Sequence, residues 1–115
     1  MGGTPWTVHL SAAAEVDYRQ VLRWTVEHFG VAQAQNYAET LSSALKALSA
    51  GPSIIGVKER SEIGNNICTL HVARNGRKGR HFVMFRIGDI EGSSVIDVLR
   101  LLHDSMDLER HRPPN

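Results

Sequence analysis

The sequence predicts an α+β domain in which an antiparallel helical hairpin packs on a mostly antiparallel four-stranded sheet, in the order β-α-α-β-β-β. Three observations predict it. Two long stretches with apolar residues at three- and four-residue steps follow one another, separated by Gly30 alone. Three alternating or nearly continuous apolar runs come later, each bounded by turn-forming residues. The third is physical: an amphipathic hairpin cannot bury its stripes by itself, and a sheet with one apolar face can cover them.

Each element has its own signal. Trp6-Thr7-Val8-His9-Leu10 alternates apolar and polar, the period of a half-buried strand. Ser11, followed by Ala12-Ala13-Ala14-Glu15, reads as an N-cap before good helix formers and an early acid. The first helix is expected over Ala12–Phe29. Its apolar stripe is Ala14, Tyr18, Val21, Leu22 and Phe29, with Thr25 or Val26 bridging the gap. The second is expected over Val31–Ala50, where Ala34, Tyr37, Ala38, Leu41, Ala44, Leu45 and Leu48 give the cleanest period in the chain and Gly51-Pro52 stops it. Ser53 to Asn66 reads as a loop containing at most a short extended piece.

Ile67 to Arg74 alternates, with Cys68, Leu70 and Val72 on one face. Asn75-Gly76 signals a hairpin turn, within a connection longer than two residues. A strand is expected over His81–Ile87, a turn over Gly88–Ser93, and a further strand over Ser94–Leu102. The apolar run of this last strand suits a central strand covered on both faces. From His103 the chain turns polar, and a short helical turn is expected.

Composition bounds the function. The 115 residues, 42% hydrophobic, suit a single domain over 1–115, with 1–5 and 112–115 expected to be flexible ends. The lone Cys68 lies in an apolar-alternating run and reads as a core residue, which fits a reducing cytoplasm. No run reaches the ~18 apolar residues of a membrane span, and Met1-Gly2-Gly3-Thr4-Pro5 has no signal-peptide character. Histidines stand at 9, 28, 71, 81, 103 and 111 without zinc-type spacing, so neither a metal nor a cofactor is expected. Net charge is only +1, but the stretch His71–Arg86 carries Arg74, Arg77, Lys78, Arg80 and Arg86 with no acid. Such a basic hairpin is either a solvated turn or a surface for an acidic partner or nucleic acid; no aromatic interleaves the turn itself, which counts against base stacking.

The element order, the length and the C-terminal string Val98-Leu99-Arg100-Leu101-Leu102-His103-Asp104-Ser105-Met106-Asp107-Leu108-Glu109-Arg110-His111 resemble the RelE/ParE toxin superfamily, over Trp6 to Pro113. The strand followed by His103-Asp104, Met106-Asp107 and His111 resembles the ParE, or plasmid-stabilisation, branch. The resemblance implies the toxin of a bacterial type II toxin–antitoxin system that inhibits DNA gyrase in the cytoplasm and is neutralised by a cognate antitoxin protein. A homodimer and a toxin–antitoxin hetero-oligomer are both open to it.

The alternative within the superfamily is a RelE-like, ribosome-dependent mRNA endoribonuclease. That branch resembles Tyr-Arg-Val-Ile-Tyr in the third strand and His-Arg-x-Asp-x-Tyr at the C-terminus. Here the strand reads His81-Phe82-Val83-Met84-Phe85, so the cationic position is Phe82. Asp104 stands in place of the C-terminal arginine and Glu109 in place of the tyrosine. RNA cleavage without a metal needs cations around the phosphate, and carboxylates there repel it. Under a shifted alignment Arg80 or Arg86 would substitute for the cationic position, but Asp104 follows His103 directly. No catalytic residue is therefore expected. The target-binding candidates are Arg100, His103, Arg110 and Arg112, and the basic hairpin Arg74, Arg77, Lys78, Arg80 and Arg86 is a candidate for antitoxin or target. Rather than an acid/base catalyst, His103 reads as a structural histidine at a strand end, bonded to the backbone or to Asp104. Glu15 and Asp17, with Arg19 and Arg23, read as surface charges, and Trp24 as an edge-of-core residue or a partner contact. A degenerate, non-toxic member of the family is also compatible with these residues.

Overall fold

Ser11 decides where the first strand stops. Its Oγ accepts the Ala14 N–H at 3.1 Å and donates to the Leu99 carbonyl at 2.9 Å, so one hydroxyl caps a helix and ties it to a distant strand. The computed structural model describes residues 5–111. The ends expected to be flexible, 1–5 and 112–115, lie outside them except for Pro5. Strand β1 (Thr7–Leu10) leads into α1 (Ala12–Phe29), and Gly30 alone separates α1 from α2 (Val31–Ala47). At φ 90° Gly30 lets the chain reverse, and its N–H still bonds the Val26 carbonyl. Instead of running on to Ala50, α2 tightens at Leu48–Ala50 into a 3-10 turn.

The sheet has five strands rather than the four expected, in the order β1-β5-β4-β3-β2. The extra strand is the short piece β2 (Val57–Glu59), an edge strand antiparallel to β3 (Ile67–His71). β3 pairs with β4 (His81–Ile90), which pairs with β5 (Ser93–His103); only β1 runs parallel, alongside β5. The second turn is shorter than Gly88–Ser93. Glu91 and Gly92, both at positive φ, make a two-residue connection, and β4 extends through Ile90. At the other hairpin Asn75 and Gly76 also adopt positive φ, closed by Arg77 N–H on the Arg74 carbonyl at 3.0 Å.

The helical hairpin covers one face of the sheet. Ala14, Leu41, Ala44 and Leu48 pack there against Leu70, Val83, Phe85, Ile96 and Val98, and Cys68 is buried among them. The opposite face holds a smaller cluster of Ile63, Ile67, Met84 and Leu102, with Leu99 and Leu108 against it. The apolar run of β5 thus faces both ways, as a central strand should. Its alternation slips once: Met84 pairs with Arg100 and Phe85 with Val98, leaving Leu99 as a bulge.

Two expectations for α1 are corrected. Phe29 does not join the stripe: at the helix end it is 62% exposed, and Thr25 is the buried bridging residue. Asp17 is not a surface charge: it is 8% exposed. The reason lies in the sheet. β1 pairs with β5 only as far as Val98, so the next residues of β5 would have an unpaired edge. Asp17 Oδ2 accepts the Leu101 N–H at 3.0 Å, and its two oxygens hold the Arg100 guanidinium at 2.7 and 3.0 Å. A helix side chain thus completes the ladder where the strand ends.

Candidate functional site

At the far end of the sheet the hydroxyl of Tyr37, on α2, accepts the Arg80 N–H at 3.0 Å and lies 2.6 Å from His81 Nδ1. With His81 neutral, Nδ1 accepts the Tyr37 proton while the phenol oxygen accepts from Arg80. Burial, reinforced by neighbouring His103, pushes the His81 pKa down to about 4. Burial likewise raises the Tyr37 phenol above its ordinary value. The close fit requires Gly79, where a Cβ would lie 2.6 Å from Val72 Cγ2 and 3.0 Å from the Tyr37 hydroxyl.

Asp104 gathers the rest. Its backbone N–H bonds the Arg80 carbonyl at 2.8 Å, while its carboxylate meets Arg80 Nε at 3.1 Å and His71 Nε2 at 3.0 Å. His71 Nδ1 accepts the Ala73 N–H, which leaves Nε2 as the donor to Asp104. The hydrogen bond from His71, followed by that from Arg80, holds the Asp104 carboxyl below its ordinary value. His103 Nδ1 lies 2.7 Å from Ser105 Oγ and 3.7 Å from Asp104, and its ring stands edge-on to His81 at 5.3 Å. His81 and His103 face the helices, in step with Val83. Phe82 points to the opposite face, edge-on to His71 and beneath the Arg60 guanidinium, whose carbon is 5.6 Å from the ring centre.

Between the helical hairpin and this cluster runs an open groove of about 1240 Å³. One wall is α1 and α2, with Trp24, Phe29 and the amides of Gln20, Gln33 and Asn36; the other is the basic loop and the end of β5, with Arg77, Lys78, Arg80, His81 and His103. Trp24 is 53% exposed and stacks on His28 at 4.1 Å. None of the described residues lining the groove is Asp or Glu.

The candidates named from sequence therefore separate. Arg77, Lys78, Arg80 and His103 come together around the groove. Arg74 turns away and donates to the Ile55 carbonyl at 3.3 Å, and Arg86 sits in the middle of β4 between Ile67 and Asp97. Arg77 also reaches back to α2, to Thr40 Oγ1 at 3.3 Å and Glu39 at 3.9 Å, so the loop is braced on the helix and is not a freely solvated turn. Arg100 is held by Asp17, and exposed Arg110 lies 3.8 Å from Asp107. Arg112 and the Glu109 side chain lie outside the described part. Sequence reasoning missed Asp17 and Tyr37 as site-building residues. For Asp17 a signal existed, an acid three residues after Ala14 and four before Val21, on the apolar stripe itself. For Tyr37 there was none, because its partners are more than forty residues away. Among the described residues, no group of three His, Cys, Asp or Glu side chains is arranged to hold a metal ion, and no helix is long and apolar enough to cross a membrane.

The chain is similar to known toxins along most of its length. It is 29% identical over 102 residues to Toxin ParE1 of Mycobacterium tuberculosis, covering 89% of this chain and 93% of that protein. It is 26% identical, with the same coverage, to Toxin ParE1 of Caulobacter vibrioides. The fold matches that of a YoeB/ParE toxin from Agrobacterium tumefaciens with a TM-score of 0.58 at 8% identity, over 84% of this chain and 96% of that one. Residues 8–108 match the model of the ParE toxin of the type II toxin–antitoxin system parDE. The helical hairpin on its mixed sheet and these relationships place the chain in the ParE toxin family, as the toxin component of a type II toxin–antitoxin system.

Proposed function

We propose that this ParE-family toxin arrests growth by binding and holding DNA gyrase, not by cutting RNA. The observation that carries the reading is the fate of the positions a metal-free ribonuclease would need. Phe82 offers no charge and faces away from the groove, under Arg60. Asp104 puts a carboxylate next to His103 and draws the Arg80 guanidinium onto itself. His81 is neutral and committed to Tyr37. A phosphorane-like charge would find a carboxylate where it needs a cation. Gyrase inhibition needs only a surface that binds. Its candidates are the end of β5 and the tail, His103, Arg110 and Arg112, with Arg77, Lys78 and Arg80 of the basic loop; Arg100 contributes by fixing the strand end through Asp17 rather than by contact.

The cognate antitoxin of such a toxin has a fitting edge in β2. This outermost strand offers backbone groups for strand addition, and Ile55, 92% exposed, and the Arg74 guanidinium stand beside it. An acidic-apolar antitoxin segment would satisfy all three. The test is to incubate the purified protein with gyrase and supercoiled plasmid, and in parallel with translating ribosomes. Inhibited supercoiling with intact transcripts is expected, and codon-specific transcript cleavage with unaffected gyrase would reverse the assignment. A K78E/R110E variant should lose gyrase inhibition yet keep its fold. Affinity for the antitoxin should fall with rising salt, and indifference to salt would remove the charge contribution.

A further inference from the structure

We infer that the groove between the helical hairpin and the basic loop is a binding site for single-stranded nucleic acid. The tertiary structure brings together what the sequence keeps apart. The basic loop contains no aromatic residue, but α1 places Trp24 and Phe29 on the facing wall of the same groove. Single strands are held by cations that follow the phosphates and by aromatic faces on which the bases stack. Both are present here. Arg77, Lys78 and Arg80 line one wall, and His28 stacked on Trp24 at 4.1 Å holds the indole as a platform that is 53% exposed.

Three further features select this ligand over an acidic amphipathic helix. A helix docks through apolar anchors at successive turns into a hydrophobic groove. Apart from Tyr37, whose hydroxyl is engaged, this groove offers only Val21, Trp24, Phe29 and Met106 as large apolar side chains. Between them stand the exposed amides of Gln20, Gln33 and Asn36, which can donate to and accept from base edges. And no acid lines the groove among the described residues; the carboxylates beside it are already paired, Glu39 with Arg77 at 3.9 Å and Asp104 with Arg80 at 3.0 Å, which leaves Lys78 as the cation without a carboxylate partner in the groove wall. Asp104, the nearest carboxylate of the cluster, is turned to Arg80 and His71. This inference does not depend on gyrase being the toxin's target.

The test uses the purified toxin with fluorescein-labelled oligothymidylate, oligouridylate and a duplex of equal length, read by anisotropy over a salt series. Tight binding of a single strand, weak binding of the duplex and quenching of the Trp24 emission are expected. The deoxy and ribo arms tell which single strand is preferred. Trp24→Leu should weaken binding about tenfold and abolish the quench, which separates Trp24 from Trp6. R77A/K78A should reduce the slope of log affinity against log salt by about 1.4, or ~0.7 for each phosphate no longer neutralised. Both positions are partly or fully exposed, and unchanged circular dichroism confirms that the variants fold. Polyglutamate binding as tightly as the oligonucleotides, equal affinity for duplex, or an unquenched Trp24 would overturn the inference. So would an acidic amphipathic peptide that competes and quenches where the single strand does not.

Discussion

Two carboxylate–arginine pairs brace the C-terminal half of β5, and they do different work. Asp17 comes from α1 to the side that β1 leaves open. It takes both the Arg100 guanidinium and the Leu101 N–H, and its side chain is only 10% exposed. Asp104 leaves the end of the same strand and meets Arg80, whose side chain is 70% exposed, with His71 as a second partner. In the first pair the carboxylate substitutes for a missing strand, so losing it strands a backbone donor. In the second every partner of the carboxylate is a side chain, Arg80 at the rim of the groove and His71 beside Phe82 on the opposite face, and both are open enough for water to replace them. The same chemistry is structural where it completes a ladder and adjustable where it borders solvent.

The largest effect should come from the inner pair. Asp17→Ala leaves Arg100 without its carboxylate and Leu101 N–H without an acceptor, and should cost about 2–3 kcal/mol, measured by urea denaturation. A loss no larger than that of an exposed pair would erase the distinction between the two.

Acid should act next, through His81. Its folded pKa, about 4, lies below the ordinary 6.5, so the unfolded chain takes up the proton first. Stability is then full above 6.5 and declines as the pH falls toward about 4. The loss should be about 1–2 kcal/mol, allowing for solvent screening. A flat stability profile across that window would show that His81 protonates freely and that the Tyr37 clamp is loose.

Tyr37→Phe removes the hydroxyl between Arg80 and His81 and should cost about 1 kcal/mol. Because Tyr37 donates to the neutral form, the His81 pKa should rise in the variant, followed by its ring proton resonances. An unmoved titration would mean that burial and His103 alone set it.

The smallest change is expected for Asp104→Asn. Thermal unfolding near neutral pH should hardly shift. A collapse of the fold would place Asp104 in the same structural class as Asp17.

The periodic elements were legible in the sequence because their signals are local. Ser11 as an N-cap, Gly30 between two stripes, Asn75-Gly76 as a turn and the two-sided apolar run of β5 each act within a few residues. The five cations between Arg74 and Arg86 were equally plain, but they part company in three dimensions: three line the groove, Arg74 turns to Ile55 and Arg86 stays within the sheet. Strand β2 was hidden because three residues are too few to show a period.

By itself the sequence determined the helical hairpin, the order of the long strands, the buried Cys68 and the excess of positive charge before and within β4, since each follows from spacing and side-chain type along a short stretch. Only the tertiary structure decided that Asp17 is buried, that Phe29 is not, and that Trp24 looks across at Arg77 and Lys78. Those outcomes depend on where β1 stops along β5 and where the helices overrun the sheet. Such lengths are fixed by partners up to 88 residues apart, at a range over which no local pattern carries information.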